Sequence, residues 1–94
     1  KGLFALTVNG DSMIDSFIAD GDMVLMEPVY EPSRLRDGTI VSAMVPGLGT
    51  TLKHFFRDGS LVRLEAANTS YEPIEIEAEQ VHVQGKLAAV WRKT

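Results

Sequence analysis

TTLKHFFRDGSLVRLEA, residues 50–66, is the stretch that decides the fold class. Side chains of an extended strand point alternately to two faces, so Thr51, Lys53 and Phe55 share one face and Leu52, His54 and Phe56 the other. The run stops at Arg57, Asp58 and Gly59, which are turn formers, and a second β-branched run, SLVRLEA, follows at once. The same rhythm recurs on either side, in LFALTV (3–8), MVLMEPVY (23–30), TIVSAMV (39–45) and VHVQGKLAAVWR (81–92). Between these runs lie ADGD (19–22), RDG (36–38), PGLG (46–49) and the longer ANTSYEP loop (67–73). Gly85 inside the last run predicts a bulge or a bend. Helical spacing occurs only after Ser12, at Met13, Ile14, Phe17 and Ile18, and predicts one or two turns. EPSRLRDG (31–38) reads as a polar surface connection, and there is no internal repeat or low-complexity tract. The expectation is a mainly β protein: one compact antiparallel domain over residues 1–94 with one short helical turn after the serine.

Composition bounds the function. A chain of 94 residues buries roughly two-thirds of its unfolded surface, enough for one core. Hydrophobic residues at 45% and charged residues at 23% describe an ordinary globular protein. The net charge of -4 argues against a nucleic-acid surface, because duplex binding draws its affinity from Lys and Arg neutralising phosphates. With no cysteine there are no disulfides or thiolate ligands, which is compatible with a reducing cytoplasm. No apolar run approaches the roughly 20 residues of a spanning helix, so the chain reads as soluble and free of the membrane.

Few residues can carry chemistry. VNGDSMIDSF (8–17) places Ser12 in a Gly-Asp-Ser turn between an alternating segment and an apolar cluster, where a serine can be held rigidly over a cleft. His54 and His82 lie in strand-like runs beside apolar neighbours, which suits packing or solvent contact better than catalysis. Neither histidine nor the scattered carboxylates show metal-ligand spacing, and no cofactor motif is present. Lys53 stands between apolar neighbours whichever face of its strand is buried. One reading is an edge lysine that snorkels to water and deters edge pairing. The other is a lysine kept neutral by burial, able to take a proton from a serine hydroxyl. At an ordinary pKa of about 10.4 only roughly one lysine in 2,500 is neutral at pH 7, so burial has to lower that value. Buried lysines shift by up to roughly 3–5 units, and a serine with a neutral lysine is a complete nucleophile and base.

Four blocks then carry a resemblance: VNGDSMIDSFIADGD, TTLKHFF with its lysine 41 positions after Ser12, LEAANTSYEPI, and VQGKLAAVWR. In this order they resemble the C-terminal domain of the LexA family of self-cleaving repressors, whose compact β fold is shared with UmuD-like proteins, phage repressors and signal peptidases. The resemblance implies that Ser12 is the nucleophile, Lys53 its general base, and the backbone N–H groups of Asp11 and Ser12 the oxyanion donors. It implies that Gly10 makes the turn, Met13 packs beneath the serine, and the Asp11 carboxylate faces solvent. Asp20, Gly21 and Asp22 are expected to start the second strand, and Asn68, Tyr71 and Pro73 to shape the long loop. Tyr71 serves either the fold or a dimer contact, and Val90 and Trp91 either a dimer interface or the core.

The implied partners are a second copy of the chain and an activating RecA filament. Operator DNA would be reached only through an N-terminal winged-helix domain that this chain does not contain. The family's scissile bond, alanine or cysteine before glycine, lies upstream of the first strand. The expectation is therefore a cytoplasmic catalytic and dimerisation fragment that cuts a supplied segment in trans. The competing readings are a catalytically silent dimerisation module, a UmuD-like polymerase subunit, and a signal peptidase. The last would need a membrane anchor, and its proline after the methionine and glycine-rich block after the lysine are replaced here by IDSF and HFFRDG.

Overall fold

A computed structural model describes residues 2–92. Seven strands form among them: β1 (Phe4–Thr7), β2 (Met23–Pro28), β3 (Thr39–Val45), β4 (Gly49–Asp58), β5 (Leu61–Glu65), β6 (Ile74–Glu77) and β7 (His82–Trp91). They make one sheet in the order β1-β2-β7-β3-β4-β5-β6, and every neighbouring pair is antiparallel. β3 to β6 follow one another as a meander. β7 then returns to lie between β2 and β3, so the last strand of the chain joins the two halves of the sheet.

β7 can bridge both neighbours because it bends. Gln84 is an extra residue against β3, between the Ser42–Gly85 and Ala43–Val83 pairs, and Ala88 is an extra residue against β2, between the Leu25–Ala89 and Met26–Leu87 pairs. Such bulges increase local twist and re-aim the strand. Gly85 lies between them for a steric reason: a Cβ there would sit 2.8 Å from Phe4 Cζ and 2.9 Å from the Glu27 carbonyl oxygen. The expected irregularity at Gly85 is thus a pair of bulges flanking a close approach of β1 and β2.

Four elements differ from the sequence expectation, two of them 3-10 turns at Pro32–Arg34 and Ala78–Gln80, where no helical spacing was expected. IEIE at 74–77 forms β6, a strand not foreseen after the ANTSYEP loop. It is short and carries a Glu at alternate positions, as suits an edge strand that must not pair with other chains. After Ser12 only a single 3-10 turn forms, Ile14–Ser16, because Phe17 enters the left-handed region (φ 64, ψ 29) and ends it. Met13 and Ile18 are buried as helical spacing suggested, whereas Ile14 and Phe17 face water.

The apolar residues divide into two clusters. One gathers Val41, Ala43, Val45, Phe55, Val62, Leu64 and Val83 from β3, β4, β5 and β7. The other gathers Met13, Ile18, Val24 and Met26, with Phe4, Leu6, Val8 and Leu52 packed against them. The second cluster is the floor on which Ser12 is mounted. Among the described residues no helix is long and apolar enough to cross a membrane.

Candidate active site

The turn carrying Ser12 is held at both ends. Before it, Gly10 adopts φ +93, a conformation that L side chains rarely take, and its N–H donates to Asp20 Oδ1 at 2.7 Å. Val8 and the 19–22 turn exchange backbone hydrogen bonds, Val8 N–H to the Asp22 carbonyl and Gly21 N–H to the Val8 carbonyl, both at 2.8 Å. After it, Met13 drops into the core, so the serine backbone is fixed by the burial of its neighbour. The resemblance-based placement of Met13 and of the Asp20-Gly21-Asp22 turn matches this arrangement.

Lys53 comes from the middle of β4, where it pairs with Val41 of β3 and is only 7% exposed. β4 is an interior strand, so Lys53 is no guardian of a sheet edge. Its Nζ lies 2.6 Å from Thr51 Oγ1, 3.3 Å from the Leu52 carbonyl oxygen and 3.3 Å from Ser12 Oγ. Three partners match the three hydrogens of an ammonium. They equally match a neutral amine, which would donate to Thr51 and Leu52 and accept the Ser12 hydroxyl proton on its lone pair. Burial disfavours the charged form and lowers the Lys53 pKa from its ordinary value. Geometry and environment together suit proton transfer from serine to lysine.

The backbone N–H groups of Asp11 and Ser12 find no acceptor among the described residues. Two adjacent uncommitted donors beside a serine can stabilise an oxyanion. A cleft of about 290 Å³ opens at this point, lined by Ser12 and by Leu6, Val8, Met13, Val24 and Leu52 with Thr50 and Thr51 at its polar side. Its walls are largely apolar, with the serine hydroxyl and the two threonines among the polar groups.

A family model described as Peptidase S24-like matches residues 1–88. The chain belongs to the Peptidase S24-like family. Curated relatives agree. The chain is 45% identical to a LexA repressor from Koribacter versatilis (strain Ellin345) over 93 residues, 99% of this chain and 43% of that protein. It is 47% identical to a LexA repressor from Erythrobacter litoralis (strain HTCC2594) over 96% of this chain and 37% of that protein. A transcription regulator LexA from Synechocystis sp. (strain ATCC 27184 / PCC 6803 / Kazusa) is 36% identical over 98% of this chain and 45% of its own length. The S24-like chain thus spans less than half the length of these relatives.

Several features of this S24-like domain were not legible in its sequence. The Asp11 side chain is exposed, but its carboxylate accepts a hydrogen bond from the Tyr71 hydroxyl at 2.7 Å instead of facing bulk water alone. Tyr71 therefore has a partner inside the fold. Asp22 is buried and grips Arg92, with Nε to Oδ1 at 2.7 Å and Nη2 to Oδ2 at 2.8 Å. The guanidinium, helped by the Ala19 N–H, holds the Asp22 carboxyl down to about 2.

The two histidines of the S24-like domain have separate places. His54 joins Gly38 to Ser16: the Gly38 carbonyl can only accept, so Nδ1 carries the proton and Nε2 accepts the Ser16 hydroxyl at 3.0 Å. The Ser16 N–H is committed to the Met13 carbonyl, so this serine–histidine pair fastens the 3-10 turn to β4 and offers no oxyanion donor of its own. His82 is exposed at the start of β7. Trp91 is 57% exposed and Val90 is exposed beside it, which removes the core-packing reading for both.

Proposed function

We propose that this chain is the catalytic and dimerising part of a self-cleaving LexA-type repressor of the DNA-damage response. Lys53 removes the proton of Ser12, Ser12 Oγ attacks a carbonyl upstream of β1 in its own polypeptide, and the N–H groups of Asp11 and Ser12 stabilise the tetrahedral oxyanion. The protonated lysine then gives its proton to the leaving amine, and water releases the acyl-enzyme. The observation that carries this reading is the approach of a buried Lys53 amine, whose charged form burial disfavours, to within 3.3 Å of Ser12 Oγ.

Tethering the scissile segment to the same polypeptide makes attack effectively unimolecular, so a nucleophile of modest strength suffices. Control is a population shift: docking of the segment in the cleft completes the burial of Lys53, and a RecA filament favours the docked state. Repression follows from a cytoplasmic homodimer, with the exposed Val90 and Trp91 at the end of β7 as its contact. Operator DNA is bound through a separate N-terminal domain, in keeping with the net charge of -4 here.

The test is cleavage in trans. The chain is mixed with a longer relative that carries the upstream segment and an alanine at the position matching Ser12, and products are read by mass spectrometry from pH 7 to 10. Cleavage that rises with pH and vanishes in Lys53→Ala is expected. Confirmed binding of the segment without cleavage at any pH would leave a silent dimerisation module.

A further inference from the structure

The loop at 67–73 touches the Ser12 turn at three points. Asp15 N–H donates to the Ala67 carbonyl at 2.7 Å, Asn68 Nδ2 donates to the Asp11 carbonyl at 2.8 Å, and the Tyr71 hydroxyl donates to Asp11 Oδ1 at 2.7 Å. These residues lie more than fifty positions from the turn in sequence, and none of them touches Ser12 Oγ or Lys53 Nζ. Resting on the function proposed above, we infer that Asn68 and Tyr71 are positioning residues: Asn68 sets the direction of the Ser12 oxyanion N–H, and Tyr71 keeps the Asp11 carboxylate away from the developing negative charge.

The argument for Asn68 is geometric. The Asp11 carbonyl and the Ser12 N–H belong to one trans peptide plane, in which C=O and N–H point in opposite directions. The Asp11 carbonyl also accepts the Ile14 N–H at 3.2 Å within its own turn, and the shorter bond from Asn68 fastens it to the loop, which aims the Ser12 N–H away from that loop. Asn68 can do this because its carboxamide is itself oriented. Ser70 N–H donates to Oδ1 at 2.9 Å, so a reversed amide would set donor against donor there and acceptor against acceptor at Asp11. The N–H so aimed is one of the two uncommitted donors beside the cleft. Preorganisation of this kind matters because a donor already in place reorganises little as charge develops.

The argument for Tyr71 is electrostatic. Asp11 sits directly before the serine, and a carboxylate free to rotate toward the oxyanion would oppose it. The phenol ties that carboxylate to the same loop that holds the Asp11 carbonyl, on the side opposite the Ser12 N–H. Replacing the tyrosine by phenylalanine would release the charge and leave the ring in place.

Cleavage in trans by the unsubstituted chain, measured as kcat and KM, tests this. Asn68→Leu, similar in size but unable to donate, is expected to lower kcat by roughly ten- to a hundredfold, with KM and the pH profile unchanged. Tyr71→Phe is expected to lower kcat several-fold, and adding Asp11→Asn to Tyr71→Phe to restore it. A loop that merely supports the fold gains nothing from neutralising Asp11. Wild-type kcat in a folded Asn68→Leu, or no restoration in the Asp11→Asn, Tyr71→Phe pair, overturns the inference. The pair decides alone if Asn68→Leu fails to fold. Absence of cleavage by the unsubstituted chain would overturn the proposed function and this inference together; cleavage with unaffected variants would overturn only the inference.

Discussion

Lys53 Nζ lies closer to Thr51 Oγ1, at 2.6 Å, than to Ser12 Oγ, at 3.3 Å. The threonine two positions away on β4 thus anchors the amine that faces the serine, because period-two geometry puts both side chains on one face. Thr51→Val keeps the shape and removes the anchor, and leaves one hydrogen of the amine without its nearest partner. The cleavage rate is expected to fall roughly tenfold or more, through misplacement of the base, and to recover in Thr51→Ser. Rates in trans for the two variants check this.

Ser12→Ala and Lys53→Ala are each expected to reduce cleavage by at least about a thousandfold, and the double variant to lose little more, since the two act as a unit. In the unsubstituted chain the rate should rise with pH as Lys53 loses its proton, with an apparent pKa below the ordinary lysine value. A flat profile between pH 7 and 10 would contradict a lysine base.

The same lowered pKa sets a stability trend. Between the folded and unfolded pKa values of Lys53, the unfolded chain binds more protons, so its contribution to stability rises with pH and levels off above about 10.4. Lys53→Met removes the buried charge. It is expected to be more stable than the parent at pH 7, with a gap that narrows toward pH 10. Urea unfolding at several pH values reads that gap directly.

Asp22 gives the opposite window. Its carboxyl, held down to about 2 by Arg92, contributes stability that is complete above the ordinary aspartate pKa and lost as pH falls through about 2. Arg92→Gln leaves that buried carboxylate without its cation. Acid unfolding followed by circular dichroism is expected to move to higher pH in this variant.

Gly85→Ala would push a methyl group to within 2.8 Å of the Phe4 ring and 2.9 Å of the Glu27 carbonyl oxygen. A destabilisation of about 1–3 kcal/mol is expected from this overpacking. Pairing it with Phe4→Leu should recover part of the loss, since the ring is the nearest obstacle. Denaturant midpoints for the single and double variants test that.

Phe17 holds a left-handed backbone (φ 64) and is 84% exposed, so it bears strain with little burial in return. Phe17→Asn, a residue that tolerates this conformation, is expected to raise stability by about 1 kcal/mol. Thermal unfolding provides the measurement.

What the sequence determined by itself is local. Alternation in TTLKHFF and its neighbours specified the strands, because a strand's period of two is written in adjacent residues. Gly10 and Gly21 marked turns, because positive φ is a property of single residues. Ser12 and Lys53 were legible as a pair through four ordered blocks that resemble a known family. IEIE was missed because four residues carry too little alternation beside a long loop.

Only the tertiary structure decided the rest. β7 lies between β2 and β3, and that placement buries Gly85 against residues of β1 and β2 and brings Arg92 to Asp22. The fold also brings Asn68 and Tyr71 to Asp11, across 57 and 60 positions. No local pattern encodes such meetings, since each depends on where two distant segments cross. The burial of Lys53 has the same origin: alternation showed which face the lysine shares, but only the fold, which brings the Ser12 turn against the Lys53 amine from 41 positions away, decided that this face would be closed to water.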